Sequence, residues 1–291
     1  MFNNLEKVEK EFHYFKNDVV KWQLLKILRP WKVEPLKRNK ELKNTHIGDR
    51  CFILGNGPSI KDVNFSNLTD EFVFTVNQAS RYKDFDKLKT NVHMWADQYF
   101  FKRLEFDEEL VEVMKNIRTK DNSPYVFVPV NQKPFMERLG LDKILDLRYF
   151  RSETGFFEGY NHEIDYAKMS PAFGTVVQWC ITMAIFMGFK EIYLLGCDNT
   201  GLMTNFKSVL QRNDAEDYGY DISANDKKQL ENMLKDKGLE GYVVSYLANM
   251  REYRWLKKYC DDRNIKLINC SSQTVIDTIP RMRLDDVLRY S

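Results

Sequence analysis

The chain has little of several features that would assign it at once to a functional class. Its 44 basic and 42 acidic side chains leave a net charge of only +2, so bulk electrostatics give no reason to expect nucleic-acid binding. The five cysteines lack paired metal-ligand spacing and accompany no secretory signal, which predicts a reduced, cytoplasmic protein. The longest apolar stretch, residues 176–189, is shorter than the roughly 20 residues that a membrane-spanning helix needs.

Apolar and aromatic residues are plentiful and regularly placed. They make up 43% and 14% of the 291 residues, enough for one large domain. Apolar runs of strand length occur near residues 50, 74, 94, 127, 193 and 267, and charged or helix-periodic segments separate them. This alternation predicts a single α/β domain over residues 49–291, with one mostly parallel, Rossmann-like sheet and helices on both faces.

The first informative motif is Gly55-Asn56-Gly57-Pro58-Ser59, which follows the apolar run 51–54. Its two glycines allow a sharp turn and close approach of a ligand to the backbone. In a parallel sheet this turn would lie at the carboxyl edge, where nucleotides bind in open α/β folds. The spacing matches neither the dinucleotide fingerprint nor a P-loop, and a tight turn without a ligand is the alternative.

The second informative segment runs from Gly174-Thr175 through an apolar stretch to Gly196-Cys197-Asp198. It predicts a helix that begins at residue 175 and leads into a strand. Free N–H groups at the start of the helix suit an anion. Asp198 then falls at the carboxyl end of the strand, where it could bind a sugar hydroxyl, act as a base or cap the following segment.

In combination, residues 55–59, Asn77-Gln78 and residues 175–198 resemble the bacterial sialyltransferases that use a CMP-activated nonulosonic acid. They equally resemble the related domain of the motility accessory factor and 6-hydroxymethylpterin pyrophosphokinase-like families, whose closing strand and helix are similar to residues 265–282. The resemblance spans residues 51–288 and leaves 1–48 uncovered. It implies a variant of the GT-A architecture that binds a CMP-sugar as substrate and requires no metal ion or other cofactor.

The resemblance also implies roles for particular residues. Asn56 and the backbone on either side of it match positions that hold the nucleotide phosphate and ribose. Asn77 matches an asparagine near the leaving phosphate, Thr175 a threonine beside the donor sugar, and Tyr218 or Tyr220 a lid tyrosine that binds the phosphate. The nucleotide site predicted in this way comprises Gly55, Asn56, Gly57, Pro58, Ser59, Asn77, Gln78, Thr175, Gly196, Tyr218 and Tyr220.

The general base is the point at which this chain departs from those sialyltransferases. They use a histidine shortly before the helix that leads into the last strand, and the corresponding residues 241–246 contain none. The predicted catalytic candidates are therefore His162, Asp198 and Asp217, with Asp97 as a further carboxylate. A general base typically contributes about 100- to 10,000-fold to the rate, so its identity matters.

Three functions fit these observations. The first is inverting, metal-independent transfer of a sialic acid-like nonulosonate or Kdo from CMP to a cell-surface glycan, in lipopolysaccharide, O-antigen or capsule. The second is a pterin or nucleotide pyrophosphokinase that uses Mg-ATP, which would need an acidic pair such as Asp97 and Asp198. The third is a non-catalytic nucleotide-binding assembly protein.

Two segments lie outside the predicted core. Residues 1–48 read as a helix followed by a basic linker at 37–40, and such a leader would lie on the inner face of the cytoplasmic membrane or pack on its own domain or on another copy of the chain. Residues 200–241 are polar, with few apolar anchors, and predict either a lid-like insertion or an inserted helical subdomain near the active face.

Overall fold

A parallel sheet forms the centre of the protein in a computed structural model that describes residues 2–203, 206 and 218–289. In chain order the described strands are β1 (Arg50–Leu54), β2 (Phe72–Val76), β3 (Thr90–Met94), β4 (Tyr125–Pro129), β5 (Asp146–Phe150), β6 (Ser152–Gly155), β7 (Ser170–Ala172), β8 (Glu191–Leu195) and β9 (Lys266–Asn269). Seven of them form the main sheet, in the order β5-β4-β3-β2-β1-β8-β9, and all its neighbouring pairs are parallel. Strands β6 and β7 pair separately.

Helices cover both faces of this sheet. The described α-helices are α1 (Phe2–Tyr14), α2 (Lys21–Leu28), α3 (Glu34–Lys37), α4 (Gln98–Arg103), α5 (Glu108–Lys115), α6 (Lys133–Arg138), α7 (Val176–Met187), α8 (Ala224–Asp261) and α9 (Leu284–Arg289). Successive strand residues point to opposite faces, so Ile53 joins the core beneath α7 and α8, whereas Phe52 joins the core beneath α2, α4, α5 and α6. The predicted single parallel sheet with helices on both faces is thus confirmed.

The N-terminal segment is helical, and its later part packs against the body. A π-helical stretch, Phe15–Val20, joins α1 to α2, and the residues at both junctions keep helical backbone angles. Short helical turns follow up to Leu42, and in them Leu36 and Asn39 are fully buried. The Asn39 amide donates hydrogen bonds of 2.7 and 2.9 Å to two backbone carbonyls of the body. The stretch predicted to be a basic linker is therefore part of the packed body.

Strand β5 escaped the sequence prediction because it contains a charged residue. The Arg148 side chain is only 2% exposed; it pairs with Glu41 at 2.6 Å and lies over the ring of Tyr125 on β4. An arginine within a five-residue strand normally indicates that the strand is exposed. Here the ion pair with Glu41, which is distant in sequence, compensates for the burial of the charge.

The polar stretch predicted as a lid divides into two parts. Residues 204–205 and 207–217 lie outside the described residues, whereas α8 begins at Ala224 after an N-cap, Ser223, whose side chain accepts a hydrogen bond from the Asp226 N–H. Gly238, at a φ of 64°, interrupts the helix. The second half of the expected insertion is therefore largely helical. No described helix is both long and apolar enough to cross a membrane.

All five cysteines are buried free thiols. Burial raises the pKa of the Cys51 and Cys180 thiols well above the ordinary range. These side chains therefore act as small apolar residues of the core.

Candidate functional site

The strand order places two loops side by side at the carboxyl edge of the sheet. The chain adds strands in one direction from β1 to β5 and then crosses back, so β8 lies on the other side of β1. Such a point, where the strand order reverses, opens a crevice in which α/β proteins bind ligands. The loops that meet there are residues 55–59 and residues 196–199, the two motifs identified in the sequence.

Close backbone contact explains the glycines in both loops. The Gly57 N–H donates to the Gly196 carbonyl at 2.8 Å. A Cβ atom at Gly55 would lie 2.6 Å from the Gly196 carbonyl oxygen, and one at Gly57 would lie 2.7 Å from the Asp198 side chain. Gly196 itself has a φ of 61°. A side chain at any of these positions would force the loops apart.

Asp198 is fully enclosed between the two loops. Its carboxylate accepts hydrogen bonds from the Ser59 N–H at 2.8 Å, from the Ser59 hydroxyl and from the Gln273 amide at 3.2 Å. Only 1% of the residue is exposed. Asp198 therefore bridges the two loops, mainly through its hydrogen bonds with Ser59.

Polar side chains follow the ends of three strands of the main sheet. Asn77 and Gln78 come directly after β2, Trp95 directly after β3, and Asn199 after β8. Each has a buried polar atom to which the described residues offer no hydrogen bond: Asn77 Oδ1, Gln78 Oε1, Trp95 Nε1 and Asn199 Nδ2. Buried polar groups are nearly always paired, so this group is the strongest indication of a ligand that would pair with them.

The backbone of Asn77 supports the same conclusion. Its φ of 47° lies in the left-handed region, which asparagine tolerates better than most residues. The neighbouring His93, on β3, bonds Thr75 through Nδ1 at 2.7 Å, and burial lowers its pKa to about 3. His93 is therefore a neutral core residue.

Tyrosines enclose the turn after β1. The Tyr82 hydroxyl lies 2.5 Å from the Asn56 side-chain oxygen and 3.0 Å from the Gly55 carbonyl oxygen, so its single proton can be donated to either acceptor. On the other side the Gly219 N–H donates to the Asn56 carbonyl at 2.9 Å. This bond brings Tyr218 and Tyr220 to the motif. Burial raises the pKa of Tyr220 well above its ordinary value, so its hydroxyl stays protonated.

Thr175 lies at the start of α7, as predicted. Its N–H donates to the Gln178 side chain at 3.1 Å, and its hydroxyl lies 3.3 Å from the hydroxyl of Tyr253 on α8. Tyr253 is buried in the same core as Cys197, the residue between Gly196 and Asp198. Thr175 and Tyr253 therefore connect the start of α7 with α8.

Glu252 is the residue of this site that the sequence reasoning missed. Its carboxylate accepts a hydrogen bond of 2.9 Å from the Gly174 N–H, next to Thr175. Burial raises its pKa to about 7, although the bonds from Gly174 and Gln178 act in the opposite direction. No local sequence pattern marks this position, because the resemblance points to residues 241–246 for the base and Glu252 follows about two helical turns later.

A buried ion cluster holds the start of α8 at the edge of the sheet. The Arg103 guanidinium bonds Asp226 at 2.6 Å and also pairs with Asp107, and all three residues are buried. The Gln78 amide donates to Asp226 at 3.2 Å. Burial alone would raise the pKa of Asp226, but the bonds from Arg103 and Ser223 lower it. The polar segment before α8 is therefore anchored beside the end of β2.

His162 does not join this edge. Its ring stacks on Tyr14 at 3.6 Å, its Nε2 lies 2.7 Å from the Glu11 carboxylate, and its carbonyl accepts a bond from Tyr259 near the end of α8. These contacts hold α1 on the body, and a catalytic role for His162 stays a prediction. Asp217 lies outside the described residues.

Asp97, the further carboxylate candidate, caps a helix. Its side chain accepts a hydrogen bond of 2.9 Å from the Tyr99 N–H at the start of α4, and burial raises its pKa. Among the described residues, no three His, Cys, Asp or Glu side chains are grouped closely enough to hold a metal ion. A cavity of about 510 Å³ lies at the opposite edge of the sheet, beside Arg50, which already pairs with Glu71. The strand ends are therefore the better candidate site.

No family model and no curated protein matches the chain. Among solved structures it is similar to the sialyltransferase CstII from Campylobacter jejuni in complex with cytidine-5'-monophosphate, at 18% identity and a TM-score of 0.43 over 81% of this chain and 85% of that chain. It is also similar to the monofunctional alpha-2,3-sialyltransferase Cst-I from Campylobacter jejuni, at 17% identity and a TM-score of 0.44 over 80% of each chain.

A third similar structure is the MAf glycosyltransferase from Magnetospirillum magneticum AMB-1, at 16% identity and a TM-score of 0.47 over 86% of this chain and 38% of that chain. These structures come from the two groups that the sequence motifs resemble.

Proposed function

We propose that the protein is a glycosyltransferase that uses a CMP-activated sugar. The sugar is a sialic acid-like nonulosonate or Kdo, and the acceptor is a hydroxyl group of a cell-surface glycan in lipopolysaccharide, O-antigen or capsule. Transfer inverts the anomeric carbon and needs no metal ion. The supporting observation is the set of unpartnered polar atoms of Asn77, Gln78, Trp95 and Asn199 around the crevice between β1 and β8.

The nucleotide occupies the turn at residues 55–59 in this proposal. Glycines let its phosphate approach the backbone, and the amide of Asn77 faces the leaving phosphate, in agreement with the motif resemblance. Amide and hydroxyl groups can stabilise the charge that develops on a departing CMP through hydrogen bonds alone. Tyr218 and Tyr220 lie beside Asn56 and supply such hydroxyls.

Glu252 is the general base of the proposed reaction. It lies beside Thr175, which the resemblance assigns to the donor sugar, and a carboxylate with a pKa of about 7 is well matched to proton transfer near neutral pH. The acceptor hydroxyl gives its proton to Glu252 while its oxygen bonds to the anomeric carbon. The bond from that carbon to the phosphate oxygen breaks, and its electron pair leaves with CMP.

Thermal shifts with CMP, CTP, ATP and GTP, each with Mg²⁺ and with EDTA, test the proposal first. A ligand that binds only the folded state raises the melting temperature by mass action. We expect CMP to stabilise the protein in EDTA, and CMP-sialic acid or CMP-Kdo to release CMP in the presence of a glycan acceptor. Stabilisation by ATP that needs Mg²⁺ would instead favour the pyrophosphokinase, and CMP binding without turnover of any CMP-sugar would favour an assembly protein.

A further inference from the structure

Helix α2, near the N-terminus, has an apolar surface that is exposed to solvent. Trp22 and Leu25 of α2 are buried against the body, so the helix cannot rotate to hide its other face. On that face Leu24 is 50%, Ile27 75%, Leu28 66% and the nearby Trp31 66% exposed. Together with Lys26, Arg29 and Lys32, these four residues form what we call the basic apolar patch.

The charge of this patch has one sign. Residues 19–33 contain four lysines and arginines and no acidic residue. Lys21 pairs with Glu153 at 2.7 Å, whereas Lys26, Arg29 and Lys32 have no carboxylate partner among the described residues. Large apolar side chains and unpaired cations thus share one fixed surface.

We propose that the basic apolar patch binds the surface of an anionic lipid bilayer. Tryptophan and aliphatic side chains insert at the boundary between headgroups and acyl chains, while lysine and arginine contact the phosphates. The patch needs no rearrangement to do so, because its helix is already folded and held by its buried face. This inference is independent of the proposed sugar transfer.

A second copy of the chain could bind the patch instead of a bilayer. The exposed surface of α1 shows the mixture of charges that would suit such a protein partner. Leu5, Val8 and Phe12 are also exposed on α1, but Glu6 and Glu9 lie among them. Acidic side chains would be repelled by an anionic bilayer, whereas mixed charges suit a protein partner. The absence of acidic residues from residues 19–33 therefore favours the lipid for the patch.

Co-sedimentation of the full chain with vesicles tests the proposal. We expect binding to vesicles that contain phosphatidylglycerol, none to vesicles of phosphatidylcholine alone, and weaker binding at high salt. A variant carrying Lys26→Gln, Arg29→Gln and Lys32→Gln should bind at least about tenfold more weakly, because each cation near an anionic surface contributes about 1 kcal/mol. Ile27→Glu should also weaken binding.

Phe106→Glu provides the matched control, since Phe106 is 76% exposed but lies outside the patch. It should bind vesicles like the unmodified chain, and the melting temperatures of all variants should stay close together because the substituted residues are exposed. Trp31 fluorescence should shift to the blue on vesicles. The proposal is overturned if Ile27→Glu and the triple variant bind normally, if no vesicle binds, or if Ile27→Glu only converts a dimer to a monomer.

Discussion

The Ser59 N–H and the Asp198 carboxylate, 139 residues apart in the chain, share a buried hydrogen bond of 2.8 Å. The bond joins the loop after β1 to the loop after β8 across the point where the strand order reverses. Both carboxylate oxygens of Asp198 accept hydrogen bonds from Ser59 and Gln273. We therefore expect Asp198 to hold the shape of the crevice and not to act as the base.

Asp198→Ala should therefore reduce stability. It leaves the buried Ser59 N–H without its acceptor, and the loss of a buried hydrogen bond to a charged group typically amounts to about 1.5–3 kcal/mol. Ser59→Ala keeps the N–H bond and should reduce the free energy of unfolding by about 1 kcal/mol. Urea denaturation measures both values. Unchanged stability with lost turnover would instead make Asp198 a catalytic residue.

Gly57→Ala should disturb the crevice and weaken nucleotide binding. Its Cβ atom would lie 2.7 Å from the Asp198 side chain and from the Gly196 carbonyl, and overpacking of this kind typically reduces stability by about 1–3 kcal/mol. Gly155→Ala is the matched control, because its Cβ atom would meet nothing closer than 3.9 Å. Thermal melts with and without CMP compare the two variants, and equal behaviour would show that the contact is unimportant.

Asn77→Gly should separate the backbone role of Asn77 from that of its side chain. Glycine adopts the φ of 47° without strain, so stability should change little while CMP affinity falls about tenfold through the lost amide bond. Asn77→Ala should lose the same affinity and also about 1 kcal/mol of stability, because alanine disfavours that φ. Calorimetric titration with CMP checks the affinities. Normal affinity in Asn77→Gly would remove Asn77 from the proposed site.

Glu252→Gln should abolish the basic group of the proposed reaction. We expect kcat to fall by about 100- to 10,000-fold, and the rise of kcat/KM with pH, centred near the pKa of about 7, to disappear. Glu240→Gln, on an exposed part of α8, is the control and should keep the normal profile. A wild-type pH profile in Glu252→Gln would assign the base to another residue.

The same substitution should change how stability depends on pH. Burial raises the pKa of Glu252 in the folded state above the value of about 4.3 expected in the unfolded chain, so folding favours the protonated form. This contribution is complete below pH ~4.3 and is lost as the pH rises through about 7. Glu252→Gln should therefore match the wild type in acid and exceed it at pH ~8, by about 1 kcal/mol after allowance for partial exposure. Denaturation at both pH values tests the difference.

Local sequence patterns were sufficient for most of the sheet. Short apolar runs indicated β1–β4, β8 and β9, because strands buried on both faces have nearly continuous apolar residues. Strand β5 was missed because the burial of Arg148 depends on Glu41 and Tyr125, which lie far away in the sequence. The basic run at 37–40 was interpreted as a linker for a similar reason, since the burial of Asn39 depends on carbonyls of the body.

The site was harder to predict than the fold. The glycine turn and Asn77 follow strand ends directly, so their positions were visible in the sequence. Glu252 becomes a candidate only through its contact with Gly174, 78 residues earlier in the chain, and no local pattern encodes that contact. His162 was a catalytic candidate in the sequence, and in the fold its ring contacts Tyr14 and Glu11 of α1, which no local pattern around residue 162 indicates.

The pairing of β1 with β8 has a consequence for how the chain folds. On one side β1 meets β2, the next strand in the chain, but its other side stays open until residues 191–195 have been synthesised. Pairings so distant in sequence form slowly, and an uncovered strand edge invites association with other chains. The crevice between these strands is thus completed late in biosynthesis, and a nucleotide bound there would favour the finished fold over its aggregation-prone precursors.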